Sequence, residues 1–254
     1  MKLLQACIIA FSTYSKIPMP KVDWNKENKK YAICFFPMVG VLIGAVCIVW
    51  YIICSRYQIT GVVRANMPAL FILLLTGGIH TDGYMDTMDA LHSYAETEKK
   101  LQILKDPHIG AFAVISVIGY YLAYTSFVSM IGRWDLSLLY ALGFVLSRIL
   151  SGLGVVYLKN AKQEGMLYEF SDAAHKRTVR IVLFFLLGIC AALMLSVSFA
   201  AAVCVLAANG FLYCFYRYKA YREFGGITGD LAGWFLVLSE LISAGIPALF
   251  SIRF

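Results

Sequence analysis

The sequence predicts an all-α, polytopic integral membrane helical bundle with about seven transmembrane helices, forming one membrane-embedded domain over residues 1–254. Composition is the first reason: 60% of the residues are hydrophobic and 15% are charged, whereas a soluble domain is roughly half apolar and a quarter charged. The mean hydropathy is +0.73. Apolar runs long enough to cross a bilayer also recur along the whole chain, and no linker divides them.

These apolar runs locate the helices. A transmembrane helix needs about 20 predominantly apolar residues. Suitable runs lie near residues 32–54, 66–80, 111–132, 136–158, 180–197, 199–216 and 231–251. The second run is short at its apolar core, and only a turn at residues 196–198 separates the fifth run from the sixth.

Basic residues indicate how the bundle is oriented. If the N-terminus is cytoplasmic, seven spans leave residues 1–31, 81–110, 159–179 and 217–230 inside. These segments and their boundaries contain 17 of the 22 Lys and Arg residues, and only four lie outside. Cytoplasmic loops of membrane proteins carry this excess. It accounts for the net charge of +7, so we expect a multi-pass protein of the cell membrane with no nucleic-acid partner.

An acidic stripe follows the second run. Asp82, Asp86 and Asp89 stand at i, i+4 and i+7, a spacing that places three carboxylates on one face of a helix. Their mutual repulsion requires a cation. Carboxylates without cysteine favour Mg²⁺, which proteins hold together with substrate phosphates. A solvated helix start would explain one Asp but not three. His80 could add a nitrogen, although a structural role explains a single His equally well.

Two further inside loops carry related chemistry. In residues 105–110, Asp106 could join the metal site or cap the next helix, and Lys105 could bind a phosphate or face lipid headgroups. Residues 222–230 form a glycine-rich turn before the last run, and such a turn presents backbone N–H groups to phosphate. A tight turn with a helix cap is the alternative for this second loop.

Arg148 lies inside the fourth run, about three turns from its inner end. A charge at that depth costs about 2.5–3.5 kcal/mol on insertion scales. It therefore needs a partner, which could be Glu240 in the last run or a substrate phosphate. The residues leave these two interpretations open.

Five motifs resemble those of the cobalamin synthase family, the adenosylcobinamide-GDP ribazoletransferases: GGIHTDGYMDTMDAL (77–91), KDPHIG (105–110), SR (147–148), QEG (163–165) and REFGGITGDLAG (222–233). The segments FSTYSKIPMP (11–20) and FFPMVGVLIG (35–44) are also similar to the opening of that family. The resemblance implies a Mg²⁺-dependent membrane transferase. It would join adenosylcobinamide-GDP to α-ribazole, or to α-ribazole 5′-phosphate, and release GMP.

The resemblance also implies roles for individual residues. Metal ligands would come from Asp82, Asp86 and Asp89, with Asp106 and Asp230 as further candidates. His80 or one of the Asp residues would take the proton of the attacking hydroxyl. The groups that steady the phosphates would be Lys105, Arg148, Arg222, Gly225, Gly226, Thr228 and Gly229. Lys105 stands where the family pattern has Arg, which affects substrate contacts more than the reaction type.

Two other classes remain as alternatives. A CDP-alcohol type phosphotransferase also places an Asp array on membrane helices, but Ile79 stands where its opening Asp would be. An ion-coupled transporter would keep its acids near the middle of the bilayer, whereas here they lie at the ends of the runs. The sequence leaves open whether the chain forms a homo-oligomer.

Overall fold

A computed structural model describes residues 2–252, and within them the chain forms twelve α-helices. Their bounds are α1 Lys2–Tyr14, α2 Lys26–Lys29, α3 Ala32–Tyr57, α4 Gly61–Thr76, α5 Ile79–His92, α6 Thr97–Ile103, α7 Ala111–Met130, α8 Trp134–Tyr157, α9 Met166–Ala173, α10 Lys176–Val197, α11 Phe199–Phe224 and α12 Gly229–Ser251. The predicted all-α class is confirmed.

Among the described helices, six are long and apolar enough to cross a membrane, namely α3, α7, α8, α10, α11 and α12. Helices α4 and α5 pass the same test together as a pair bent by 97°, which gives up to seven spans. The second apolar run is therefore wrong in its bounds, because α4 begins earlier, at Gly61, and ends at Thr76. Sidedness stays a prediction, and Arg253 lies outside the described residues.

Two glycines produce the bend between α4 and α5. Gly77 and Gly78 have φ angles of 64° and 77°, in the left-handed region that glycine adopts without steric cost. A Cβ at Gly77 would also lie 2.1 Å from Cε of Lys16. The chain can therefore turn sharply here, and α5 leaves the line of α4.

Small residues allow close packing around α8, the most buried of the long helices. A Cβ at Gly40 of α3 would come within 2.3 Å of the Phe144 carbonyl oxygen, and one at Gly143 within 2.3 Å of Ser243 Cβ on α12. Small residues are common where membrane helices meet. They let the backbones approach closely, and the resulting van der Waals packing drives helix association in lipid.

The loops that were predicted to lie inside meet at one end of the bundle. Lys100 of α6 pairs with Glu223 of α11 at 2.5 Å. Backbone bonds join Lys159 and Ala161 to Ile227 at 2.8 and 2.9 Å. We call this region the polar end. It unites segments more than 100 residues apart in sequence.

Candidate active site

The acidic stripe and the last helix meet at the polar end. A Cβ on Gly83 would lie 2.8 Å from Cα of Asp230, and one on Gly233 would lie 2.9 Å from the His80 carbonyl oxygen. Helices α5 and α12 therefore cross with their backbones in contact at these two glycines. This crossing places Asp230 against the stripe of α5.

Asp82, Asp86 and Asp230 form what we call the acid cluster. The charges of Asp82, Asp230 and Asp89 all act on Asp86, and Asp82 also acts on Asp230. Carboxylates that lie close enough to influence one another in this way repel one another when they are ionised. A cation or a hydrogen-bond donor must offset that repulsion.

Asp89 has donors of its own. Its two carboxylate oxygens accept hydrogen bonds from the backbone N–H groups of Gly110 and Ala113, at 2.7 and 2.8 Å. These groups open α7, where a helix leaves amides without intrahelical partners. Asp89 thus caps a neighbouring helix from a distance, and both of its oxygens are engaged in doing so.

A basic cavity of about 320 Å³ lies beside the acid cluster. Its polar lining includes Lys105, Lys162, Glu164, Thr228 and Asp230. Lys105 pairs with Glu164 at 2.5 Å and holds the pKa of that carboxyl below its usual range. Burial, and then the charge of Lys105, lowers the pKa of the Lys162 ammonium. Lys105 and Lys162 are the cations of this lining that can attract phosphate, and Glu164 and Asp230 balance their charge.

An apolar cavity of about 190 Å³ lies on the other side of Asp230. Its lining comes from α1, α3, α5, α8, α9 and α12 and comprises Tyr14, Phe36, Ile79, His80, Asp82, Ser151, Val155, Met166, Leu167, Gly229, Asp230, Ala232 and Gly233. The His80 ring is nine-tenths buried, between Tyr14 and Phe36, with ring centroids 6.1 and 5.9 Å away.

A third cavity, of about 630 Å³, opens at the bend between α4 and α5. Its polar lining includes Lys16, Thr81 and Asp82, together with the Gly77–Gly78 backbone. The Lys16 amide donates to the Leu75 carbonyl at 2.7 Å, which fixes the N-terminal segment against the bend. Asp82 therefore faces the third cavity as well as the apolar one.

Arg148 is fully buried beneath this site. It donates to Glu240 at 2.7 Å and to the Phe144 carbonyl at 3.0 Å, and Glu240 is 2% exposed. Of the two partners that the sequence left open, the structure shows Glu240. Arg148 lines none of the three cavities, so its predicted contact with phosphate stays a prediction.

Two other candidates lie apart from the acid cluster. Asp106 accepts from the backbone N–H of His108 at 3.0 Å, which lowers the pKa of this exposed carboxyl. It does not belong to the group of carboxylates around Asp86. Arg222 lies exposed near the end of α11 and donates to the Tyr218 hydroxyl. The structure brings neither residue into the three cavities.

The glycine-rich turn is also used differently from the prediction. Gly225 ends α11 with a φ of 73°. The amides of Gly226 and Ile227 donate to Ala220 and Lys159 at 3.0 and 2.8 Å, so the Gly226 amide is not free to bind phosphate as expected. The first turn of α12 is left for that role. There Thr228 accepts from the Leu231 amide at 3.2 Å, and Gly229 lines both the basic and the apolar cavities.

Among the side chains that line these cavities, sequence reasoning missed Lys16, Lys162, Tyr14 and Phe36. The family resemblance pointed to three of them, because Tyr14 and Lys16 lie in the segment 11–20 and Phe36 lies in the segment 35–44, and both segments are similar to the family opening. Lys162 directly precedes the motif at 163–165. Spacing alone could not place these segments beside α5.

The donor set of the acid cluster fits Mg²⁺. Asp82, Asp86 and Asp230 supply only carboxylate oxygens, which this hard cation prefers. Within the described residues, no three His, Cys, Asp or Glu side chains are positioned to enclose a metal. A Mg²⁺ ion commonly takes one or two carboxylates and completes its shell with water and substrate phosphates. A phosphate in the neighbouring basic cavity would provide that completion.

These features define a class: a polytopic helical membrane protein in which carboxylates and lysines converge at one end of the bundle. A model of the family described as Cobalamin-5-phosphate synthase matches residues 6–247. The chain belongs to this family. The match covers nearly all the described helices, from α1 to α12.

Relatives named adenosylcobinamide-GDP ribazoletransferase agree with this. The protein of Lachnoclostridium phytofermentans is 46% identical over 96% of this chain and 93% of its own length. That of Treponema denticola is 33% identical over 94% and 95%, and that of Clostridium perfringens is 29% identical over 94% and 96%. No solved structure matches the chain. The predicted family is confirmed, as is its class, a transferase of cobalamin biosynthesis.

Proposed function

We propose that this protein joins adenosylcobinamide-GDP to α-ribazole or α-ribazole 5′-phosphate, giving adenosylcobalamin or its 5′-phosphate and GMP. The observation that carries the proposal is the junction at Asp230. There the acid cluster, the basic cavity and the apolar cavity meet at the N-terminus of one helix. Relatives with the corresponding name cover almost the whole chain.

The reaction is a phosphoryl transfer. A ribose hydroxyl oxygen of α-ribazole attacks the phosphorus that is linked to the corrinoid and forms a new P–O bond. The bond from that phosphorus to the GMP oxygen breaks, and the hydroxyl proton passes to a carboxylate of the acid cluster. Such transfers depend on positioning and on neutralising the charge that develops on the phosphate oxygens.

The residues of this chain divide these tasks. Lys105 and Lys162 attract the diphosphate into the basic cavity, and the amides that open α12 bind its oxygens. One or two of the carboxylates of Asp82, Asp86 and Asp230 would hold Mg²⁺. When bound, Mg²⁺ supplies positive charge to the phosphate oxygens. Asp89 fixes α7 against α5 and so keeps the stripe in place.

The orientation belongs to the same proposal. We place the polar end at the cytoplasmic face of the cell membrane, because the basic residues are concentrated in its loops. Nucleotide and corrinoid substrates would then enter from the cytoplasm. The position of Asp230 in the first turn of α12, away from the middle of that helix, also distinguishes this site from that of an ion-coupled transporter.

The test is GMP release from adenosylcobinamide-GDP by the purified protein, with α-ribazole and with or without Mg²⁺. We expect Asp82→Ala, Asp86→Ala and Asp230→Ala each to reduce the rate at least about 100-fold, as the loss of one charge-stabilising group does in other sites. Asp135→Ala is the matched control, because Asp135 pairs with Arg133 at the opposite end of the bundle. Near-normal, Mg²⁺-dependent turnover by all three cluster variants would show the assignment to be wrong.

A further inference from the structure

The apolar cavity contains an unexplained polar atom. His80 Nε2 is buried and has no hydrogen-bond partner among the described residues. Leaving a polar group buried and unpaired costs about 1–3 kcal/mol, so an unpaired ring nitrogen of this kind indicates a ligand. Tyr14, Phe36 and Val155 form an apolar part of the lining, and Asp82, Ser151 and Asp230 form its polar part.

We propose that this cavity binds the flat heteroaromatic base of α-ribazole, with His80 as its hydrogen-bond donor. The inference rests on the proposed function and assigns one substrate to one part of the site. An apolar cavity of about 150 Å³ takes up benzene in another protein. A cavity of about 190 Å³ therefore has room for a somewhat larger ring system. Tyr14, Phe36 and His80 offer aromatic surfaces for it to pack against.

The chemistry of the lining favours this base over guanine, the other base in the reaction. Guanine carries several N–H donors and a carbonyl acceptor, all of which need partners when buried. The carboxylates in the lining that could accept from those donors, Asp82 and Asp230, are the ones assigned to Mg²⁺ above. Dimethylbenzimidazole linked to ribose has no N–H group and only one free ring nitrogen, which accepts. His80, with its proton on Nε2, supplies the single donor that this nitrogen requires.

The position of the cavity also suits the acceptor. Met166, Leu167, Gly229 and Asp230 line both the apolar and the basic cavities. If the base lies beside His80, its ribose can extend along these shared residues toward Asp82 and Asp230. The diphosphate of the donor, held in the basic cavity, would reach the same residues from the opposite direction. The attacking hydroxyl and the phosphorus would then approach each other at the acid cluster.

The first test enlarges the cavity. Val155→Ala removes two methyl groups from its lining, and Val156→Ala is the matched control, because Val156 is 2% exposed but does not line the cavity. Rates of GMP release are compared for α-ribazole and for the ribosyl derivative of naphthimidazole, a base one ring larger. We expect Val155→Ala to raise the kcat/KM ratio of larger to smaller base about tenfold or more, and Val156→Ala to leave it unchanged.

The second test needs no turnover. Binding of α-ribazole alone, and of adenosylcobinamide-GDP alone, is measured by calorimetry on the full-length protein in detergent. His80→Phe keeps a ring but removes the N–H donor, so we expect the Kd for α-ribazole to rise about tenfold and that for adenosylcobinamide-GDP to stay unchanged. A general structural defect would weaken both.

The outcomes separate this inference from the proposed function. If the wild-type protein releases GMP but Val155→Ala behaves like Val156→Ala, and His80→Phe binds α-ribazole normally, the base lies elsewhere and the inference is overturned. If the wild-type protein releases no GMP, the proposed function fails. The calorimetry with His80→Phe still decides whether this cavity binds the base.

Discussion

Replacement of Gly83 by Ala tests whether the crossing of α5 and α12 builds the site. The added Cβ would lie 2.8 Å from Cα and 2.9 Å from the carbonyl oxygen of Asp230. Ordinary van der Waals contact begins at 3.4 Å, so the helices must separate by about 0.6 Å or more. Both contacts are with backbone, which cannot rotate out of the way. The separation therefore moves Asp230 away from Asp82 and Asp86.

Two magnitudes follow from this displacement. Overpacking a close contact costs about 1–3 kcal/mol of stability, and a misplacement of 1 Å in a reacting site can reduce the rate about 100-fold. For Gly83→Ala we expect kcat for GMP release to fall about 10- to 100-fold. The melting temperature in detergent should fall as well. The Mg²⁺ concentration that gives half the maximal rate should rise, because the carboxylates no longer converge.

The control is Gly119→Ala, also a helical glycine, whose added Cβ would have no neighbour within 4 Å. It gains up to about 1 kcal/mol of helix propensity and should leave the rate unchanged. If Gly83→Ala retained wild-type rate, stability and Mg²⁺ requirement, the close approach of the two helices would not be what positions the acid cluster.

Two further substitutions separate structural from catalytic roles. Glu240→Ala leaves the buried Arg148 guanidinium without its carboxylate, so we expect a loss of about 3–5 kcal/mol, seen as a lower thermal midpoint. The double variant Arg148→Leu with Glu240→Leu should recover most of that loss, and an equally unstable double variant would contradict the argument. Asp89→Asn weakens the cap of α7 and should cost roughly 1 kcal/mol. It should raise the Mg²⁺ requirement less than Asp86→Asn does, and the reverse order would make Asp89 a metal ligand.

Much of the fold could be predicted from the sequence, because the hydropathy that locates each helix is a local property of the chain. Apolar length located the six long helices, since a helix in lipid must satisfy its backbone internally and must span the hydrocarbon layer. The turn between α10 and α11 lies at Ser198, where the sequence placed it. The bounds of α4 were missed, because its first turns are less apolar than the rest.

The candidate site could be predicted from the sequence only in part. Spacing correctly placed Asp82, Asp86 and Asp89 on one helix. The cost of a buried charge left two partners open for Arg148, and the structure shows one of them, Glu240. Spacing could not show that Asp89 bonds to α7, because that contact joins residues 21 and 24 positions apart. Nor could it show that the Gly226 amide bonds within the protein.

The sequence by itself determined the class of protein, the acidic stripe and the segments that had to meet, because hydropathy and charge act residue by residue. Only the tertiary structure decided which members of that set converge. It brought Asp230 to the stripe through the contact at Gly83, left Asp106 and Arg222 at the periphery, and formed the apolar cavity around His80 from six helices. Such convergence depends on how helix surfaces fit together, and no single segment encodes that fit.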